Sequence, residues 1–219
     1  MHKMVIFDMD GVLIDSEGFY KEINAQHFEE LGVHITEEEY ESFIGIAADL
    51  MWSYIKEKGK LSQDVATLRR DEKERKHAFL AKAPLEPMPG IPALLKKLKV
   101  QNYTLSLASS SFLKNIEVIV QKLDIASYFD CMVSGEEVEN GKPAPDIFLK
   151  AAAQVGIAPK YCYVIEDSNN GARAAKAAGM HCIGFRSPNS GHQDLSSCDL
   201  IIDRFDEKNV QKIFNLIEK

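Results

Sequence analysis

Two carboxylates, Asp8 and Asp10, stand two positions apart where the apolar run Met4-Val5-Ile6-Phe7 gives way to Gly11. Such a run reads as a buried parallel strand, and the acids then sit at its carboxyl end. Open α/β sheets take their ligands in the crevice beyond the strand tips. At a strand-to-loop bend both side chains can be aimed at one point, and a convergent pair of carboxylates wants a cation. A hard divalent ion, Mg²⁺ by preference, takes oxygen ligands and keeps several waters. An ordinary turn also uses Asp-x-Asp-Gly, so the pair gains force only from what the rest of the chain brings to it.

Three further groups could share that chemistry. Glu166 and Asp167 follow the apolar Tyr163-Val164-Ile165. Two consecutive acids at a buried strand's tip, with no basic residue beside them, repel each other and need a counter-charge, which a shared metal supplies. Ser109 ends the stretch from Tyr103 to Ala108 and leads into Ser110 and Ser111; alone it reads as a helix cap. Lys142 lies between Gly141 and Pro143, ahead of a helix opened by Pro145 and Asp146. There its ammonium can be held rigidly toward an anion or a carboxylate, with an exposed loop lysine as the bland alternative. His27 and His181 read as core-edge histidines, Trp52 as part of a small core, and the charges from Glu72 to Lys76 as a solvated helix face.

The elements that must position these groups alternate. Strands are predicted at Tyr103–Ala108, Cys131–Val133, Tyr161–Ile165, His181–Phe185 and Leu200–Ile202, with helices between them at Ile91–Leu98, Phe112–Leu123, Pro145–Val155 and Gly171–Ala178, and a closing helix at Val210–Ile217. Strands alternating with helices imply a parallel, doubly wound sheet covered on both faces. All the polar groups above then lie on one edge of that sheet, so residues about 160 apart in sequence can meet in one pocket. Between Glu17 and Ala83 the pattern is helical throughout. Phe19, Ile23, His27 and Leu31 share a stripe stopped by Gly32, Thr36 caps a second helix, Leu50 to Ile55 makes another apolar face, and Val65 to Lys82 is long and charged. The expected organisation is an α/β core from residues 1–16 and 84–219, with a helical insert over 17–83.

With these motifs in order, the chain resembles the haloacid dehalogenase superfamily. Asp8-Met9-Asp10-Gly11 with Asp15 and Ser16 is similar to its first motif, Leu107-Ala108-Ser109 to its second, Lys142-Pro143-Ala144-Pro145-Asp146 to its third, and Ile165-Glu166-Asp167-Ser168 to its fourth. The resemblance implies a Rossmann-like core with an inserted helical cap that closes over the site. It further implies that Asp8 is a nucleophile forming an aspartyl phosphate and Asp10 an acid/base. Gly11, Ser109, Ser110 and Lys142 would bind the phosphoryl group, and Asp8, Asp10, Glu166 and Asp167 would surround Mg²⁺, Asp10 through its main-chain carbonyl and Glu166 directly or through water. Within the superfamily the nearest look is that of the sugar-phosphate phosphatases and β-phosphoglucomutases. The mutase pattern has a His where this chain has Tyr20 and an Arg near Gly45-Ile46-Ala47-Ala48, which leans the expectation toward hydrolysis, with a phosphomutase as the alternative and a non-catalytic phosphate-binding module as a third reading.

The totals agree with this class. The 219 residues carry a formal net charge of −7, with 45% hydrophobic and 27% charged residues. That balance argues against nucleic acid, which requires a concentrated basic surface; the resemblance implies a small phosphate ester as the partner. No run of about 18 apolar residues suggests a membrane span, and no charged-then-apolar leader is apparent, so a cytoplasmic location is expected. Cys131, Cys162, Cys182 and Cys198 lack C-x-x-C spacing and read as reduced thiols. Oligomeric state is not legible.

Overall fold

In the computed structural model, residues 2–43 and 48–218 are described. They form two units, Met1–Asp15 with Leu85–Lys219, and Ser16–Pro84. The strands are β1 (Met4–Phe7), β2 (Thr104–Ser109), β3 (Cys131–Ser134), β4 (Cys162–Glu166), β5 (His181–Phe185) and β6 (Leu200–Ile202). The helices in chain order are α1 (Glu17–Glu30), α2 (Glu37–Ser42), α3 (Ala48–Gly59), α4 (Val65–Lys82), α5 (Ile91–Val100), α6 (Leu113–Lys122), α7 (Asp146–Val155), α8 (Asn169–Ala177) and α9 (Glu207–Glu218).

The strands pair in parallel in the order β3-β2-β1-β4-β5-β6. Chain order reverses on the two sides of β1, which opens the crevice of a doubly wound sheet beyond the tips of β1 and β4. The period of two sends Met4, Ile6, Cys162 and Val164 into one cluster with Phe148, Ala151, Ala172 and Ala175 of α7 and α8. Small alanines let these two helices lie close against the sheet. On the opposite face, the Tyr163 hydroxyl donates to the Ile217 carbonyl at 3.2 Å, and the ring of Tyr103 meets Phe214 of α9 at 6.1 Å. All four residues of β1 are fully buried, as a strand covered on both sides must be.

The α/β class expected from the sequence is the fold observed. The differences fall at strand ends: β2 and β4 each begin one residue later than predicted and run one further, so Ser109 and Glu166 are the last residues of their strands. Helix α8 begins two residues before Gly171 because the Ser168 hydroxyl accepts the Gly171 N–H at 3.0 Å and caps it.

The helical unit has its own core of Phe28, Val33, Met51, Trp52, Ile55 and Leu68, with Trp52 fully buried. Thr36 starts α2 with a reciprocal capping box: its hydroxyl accepts from the Glu39 N–H, and its own N–H donates to the Glu39 carboxylate. His27 is buried with its ring 4.9 Å from that of Trp52. The sequence places Glu72 on a solvated helix face, and the structure corrects this. Glu72 is 2% exposed, accepts from Trp52 Nε1 at 2.7 Å, and pairs with Arg69 and Lys76 at 2.7 Å each. A carboxylate three and four positions from two cations is buried here because an indole N–H in the core also needs an acceptor. Gly45, Ile46 and Ala47, on which the expected absence of a basic contact rests, lie outside the described residues.

Glu72→Gln keeps an acceptor for Trp52 and removes the charge. It is expected to cost about 1–2 kcal/mol of unfolding free energy at pH 7. Burial raises the Glu72 carboxyl, but Lys76, Trp52 and Arg69 outweigh it and hold it below its ordinary value of 4.5. A carboxyl lowered by folding contributes in full above its unfolded pKa and loses that contribution as pH falls through the folded value. Urea unfolding followed by the fluorescence of Trp52, the single tryptophan, should therefore show the gap between the two proteins closing below pH 4.5. A gap independent of pH would remove the charge from the account.

Candidate active site

The residues at the carboxyl edge of the sheet gather around one ammonium. Lys142 Nζ donates to Asp8 Oδ1 at 2.6 Å and to Glu166 Oε1 at 2.7 Å, with the Ala108 carbonyl at 3.4 Å. Register brings these together: Phe7 pairs with both Leu107 and Ile165, so the next residues along, Asp8, Ala108 and Glu166, lie side by side. The loop before α7 turns the lysine inward. Asp146 Oδ2 accepts from both the main-chain and side-chain nitrogens of Asn140, and the Ala144 N–H closes on the Gly141 carbonyl. The ammonium also lies 4.9 Å from the ring centre of Phe148, which walls it from solvent.

Glu166 is expected from the sequence among the groups around the metal. Both its oxygens are instead engaged, Oε1 by Lys142 and Oε2 by the N–H and hydroxyl of Ser168 at 2.7 and 2.9 Å. Its carboxylate sits at the N-terminus of α8, where the helix dipole favours negative charge. Gly171 makes the room: a Cβ there would fall 1.7 Å from Glu166 Oε1. This geometry makes Glu166 the holder of Lys142.

Asp167 is buried, and its Oδ2 accepts from the Ser190 hydroxyl. Gly11, with φ of 77°, lies against it, and a Cβ at Gly11 would meet Asp167 Oδ2 at 1.9 Å. Gly11, expected at the phosphate, has its N–H on the Ile14 carbonyl at 2.8 Å, and its missing side chain is space for Asp167. Asp10 turns toward the serine run. Its Oδ2 accepts from Ser111 Oγ at 2.7 Å, with Ser109 Oγ at 3.5 Å. Ser109 Oγ accepts from the Ser111 N–H at 3.0 Å, and Ser134 at the tip of β3 donates to the Ser111 carbonyl at 2.8 Å. Ser110, expected at the phosphate, is exposed. Ser111 was the residue missed, and the run of three serines was the available signal. His27 and His181 stay apart from this cluster, His181 stacked on Tyr163 at 4.7 Å.

Charge is unbalanced at this edge. Burial raises Asp8 most, Lys142 opposes it, Glu166 and Asp10 add to the rise, and the carboxyl is pushed up to about 8. Asp167 is raised well above the carboxylate range by burial and then by Glu166 and Asp8, against Ser190 and Lys142. Burial lowers Lys142, but Asp8 and Glu166 outweigh it and keep the ammonium charged. One lysine is short of what three buried carboxylates need, and a divalent cation would supply the deficit. Among the described residues no three acidic, histidine or cysteine side chains close around an ion. Two carboxylates, Asp8 and Asp167, with a main-chain carbonyl and water suit Mg²⁺, which keeps several waters, better than Zn²⁺ or Ca²⁺.

The chain is similar to several known proteins. Residues 5–185 match the family described as haloacid dehalogenase-like hydrolase. A phosphorylated carbohydrates phosphatase of Thermotoga maritima is 32% identical over 179 residues, 82% of either chain. A β-phosphoglucomutase of Bacillus subtilis is 31% identical over 206 residues, 91% of this chain and 88% of that one. Among solved structures, CbbY from Rhodobacter sphaeroides in complex with phosphate superposes with a TM-score of 0.84 at 28% identity, over 94% of this chain and 96% of that one.

Replacing a helical glycine by alanine ordinarily stabilises by about 1 kcal/mol. Gly171→Ala is expected to do the reverse, lowering the melting temperature and cutting phosphatase turnover by about tenfold or more as Glu166 is driven off Lys142. Thermal melting and steady-state kinetics decide it, and a stabilised, fully active variant would show that the carboxylate has other room.

Proposed function

The chain belongs to the haloacid dehalogenase-like hydrolases, and from that premise we propose that it is a Mg²⁺-dependent phosphatase of small phosphorylated metabolites, sugar phosphates in particular, working through an aspartyl phosphate on Asp8. The observation that carries this reading is the Lys142 ammonium fixed between Asp8 and Glu166 at the sheet's crevice. A carboxylate held by a rigid cation is a nucleophile aimed at a dianionic ester, and that ester's charge is met by the same cation.

Asp8 Oδ attacks phosphorus in line, and the bond to the leaving oxygen breaks. Asp10 gives that oxygen its proton; the Ser111 hydroxyl donated to Asp10 Oδ2 orients the carboxyl for the transfer. Asp10 then takes a proton from water as the water attacks the aspartyl phosphate, which returns Asp8 and releases phosphate. Ser109 Oγ accepts from the Ser111 N–H at 3.0 Å and gives its own proton only to a 3.5 Å contact with Asp10, so that proton is available to a phosphoryl oxygen. Asp8, the main-chain carbonyl of Asp10 and Asp167 would hold Mg²⁺, which neutralises charge growing on the phosphoryl oxygens. Glu166 acts through Lys142.

A phosphomutase would use the same first step and admit a sugar hydroxyl in place of water in the second. The position of the mutase histidine is Tyr20 here, whose ring carries the Lys76 ammonium 4.2 Å from its centre. A phenol in that place is not the imidazole of the mutase pattern, which favours hydrolysis. A non-catalytic binding module would have no use for Asp10 and its serine.

Asp8→Asn is expected to abolish release of phosphate from a generic aryl phosphate, and chelation of divalent metal to do the same until Mg²⁺ is restored. Turnover surviving either treatment would refute the reading. With β-glucose 1-phosphate and a bisphosphate primer, inorganic phosphate should exceed glucose 6-phosphate, and efficient conversion to the isomer would establish the mutase instead.

A further inference from the structure

Asp167 is held by a donor from outside the four motifs. Ser190, buried in the segment between β5 and β6, donates its hydroxyl to Asp167 Oδ2. The pair fills the space beside Gly11, where a Cβ would meet Asp167 Oδ2 at 1.9 Å and Ser190 Oγ at 2.9 Å. The segment that carries Ser190 is tied to both sides of the cluster. Asn189 Nδ2 donates to Asp15 Oδ2 at 2.6 Å, at the end of the first motif. Gln193 Nε2 donates to the Ser190 carbonyl at 3.0 Å, and its Oε1 accepts from the Asn169 N–H at 3.0 Å. Gln193 thus fastens the turn bearing Ser190 to the first residue of α8, two positions beyond Asp167. Each of these bonds fixes where Ser190 Oγ stands.

We infer that Ser190 is a positioning residue for Asp167: its hydroxyl pins one carboxylate oxygen so that the other is presented to a divalent cation, and Gln193 holds the turn from which it acts. The inference rests on the reading of Asp167 as a cation ligand. A carboxylate that can rotate gives up part of its affinity each time it is fixed by the ion, whereas a pinned one has that ordering already in place.

The test is Mn²⁺ binding to the full chain without substrate, read from the paramagnetic resonance of the free ion, alongside thermal melting. Ser190→Ala should weaken Mn²⁺ binding by about 10- to 100-fold, and Ser190→Thr, which keeps the hydroxyl, should return it most of the way. At saturating Mg²⁺ the alanine variant should recover kcat, its defect appearing as a raised Mg²⁺ requirement. Gln193→Met, which loses both bonds of the turn and touches none of the proposed ligands, should weaken Mn²⁺ in the same direction and by less, and stands in if Ser190→Ala does not fold. A wild-type chain that takes up no Mn²⁺ overturns the proposed function and this inference together. Normal Mn²⁺ uptake by wild type with equal uptake by Ser190→Ala, or by Gln193→Met in its place, overturns the inference alone. So does equal weakening in Ser190→Ala and Ser190→Thr, which would mark a loss of packing.

Discussion

Everything at the catalytic edge follows from burying Asp8, Glu166 and Asp167 within reach of a single lysine. Carboxylates crowded in low dielectric are unfavourable unless paired, and the penalty per ion is several kcal/mol. The fold meets that cost with specific devices. Lys142 serves two acids at once, Ser168 and the N-terminus of α8 serve Glu166, and Ser190 serves Asp167. What remains uncompensated is the crowding of Asp8 and Asp167, whose carboxyls are both raised by burial and by neighbouring acids, and a cation there would relieve that strain.

The sheet explains why such crowding is possible. Parallel strands deliver their ends to one edge, and because β1 sits between β2 and β4 its tip is flanked by both. Glu166 is still in register with Gly184, and Asp8 still donates its N–H to the Ile165 carbonyl at 3.0 Å, so the ladder itself fixes where these two acids stand. Two glycines complete the packing by subtraction. Gly11 and Gly171 leave the volumes that Asp167 and Glu166 occupy, so backbone permissiveness at one and small size at both become parts of the site.

The fold class was legible because apolar runs alternate with sharp turn residues, and the central strands β1 and β4 are buried along their whole length. Asp8, Asp10, Ser109, Glu166 and Asp167 stood out as polar residues where apolar stretches end, and Lys142 as a lysine set between Gly141 and Pro143 ahead of a helix. What stayed hidden has a physical reason in each case. Ser111, Ser168 and Ser190 sit in loops rich in Ser, Asn and Gly, where composition says turn and only three-dimensional proximity says partner. Glu72 lies on a helix whose charge pattern looks solvated from end to end, and burial there is decided by an indole N–H twenty positions away. Gly11 was noticed for its neighbours, but its use as empty volume could not be read without seeing Asp167 beside it.

The position of β1 in the sheet has a consequence for how the polypeptide is made. This wholly apolar strand is made before the other described strands, yet its partners β2 and β4 are aligned with it across roughly one hundred and more than one hundred and fifty residues of chain. Until they arrive, its unpaired backbone and greasy side chains have no native home. The helical unit, encoded in the interval, can fold meanwhile on local contacts alone. The nascent chain therefore passes through a stage in which an independent bundle trails a naked strand, and it is at that stage, rather than in the finished enzyme, that chaperone binding or aggregation is decided.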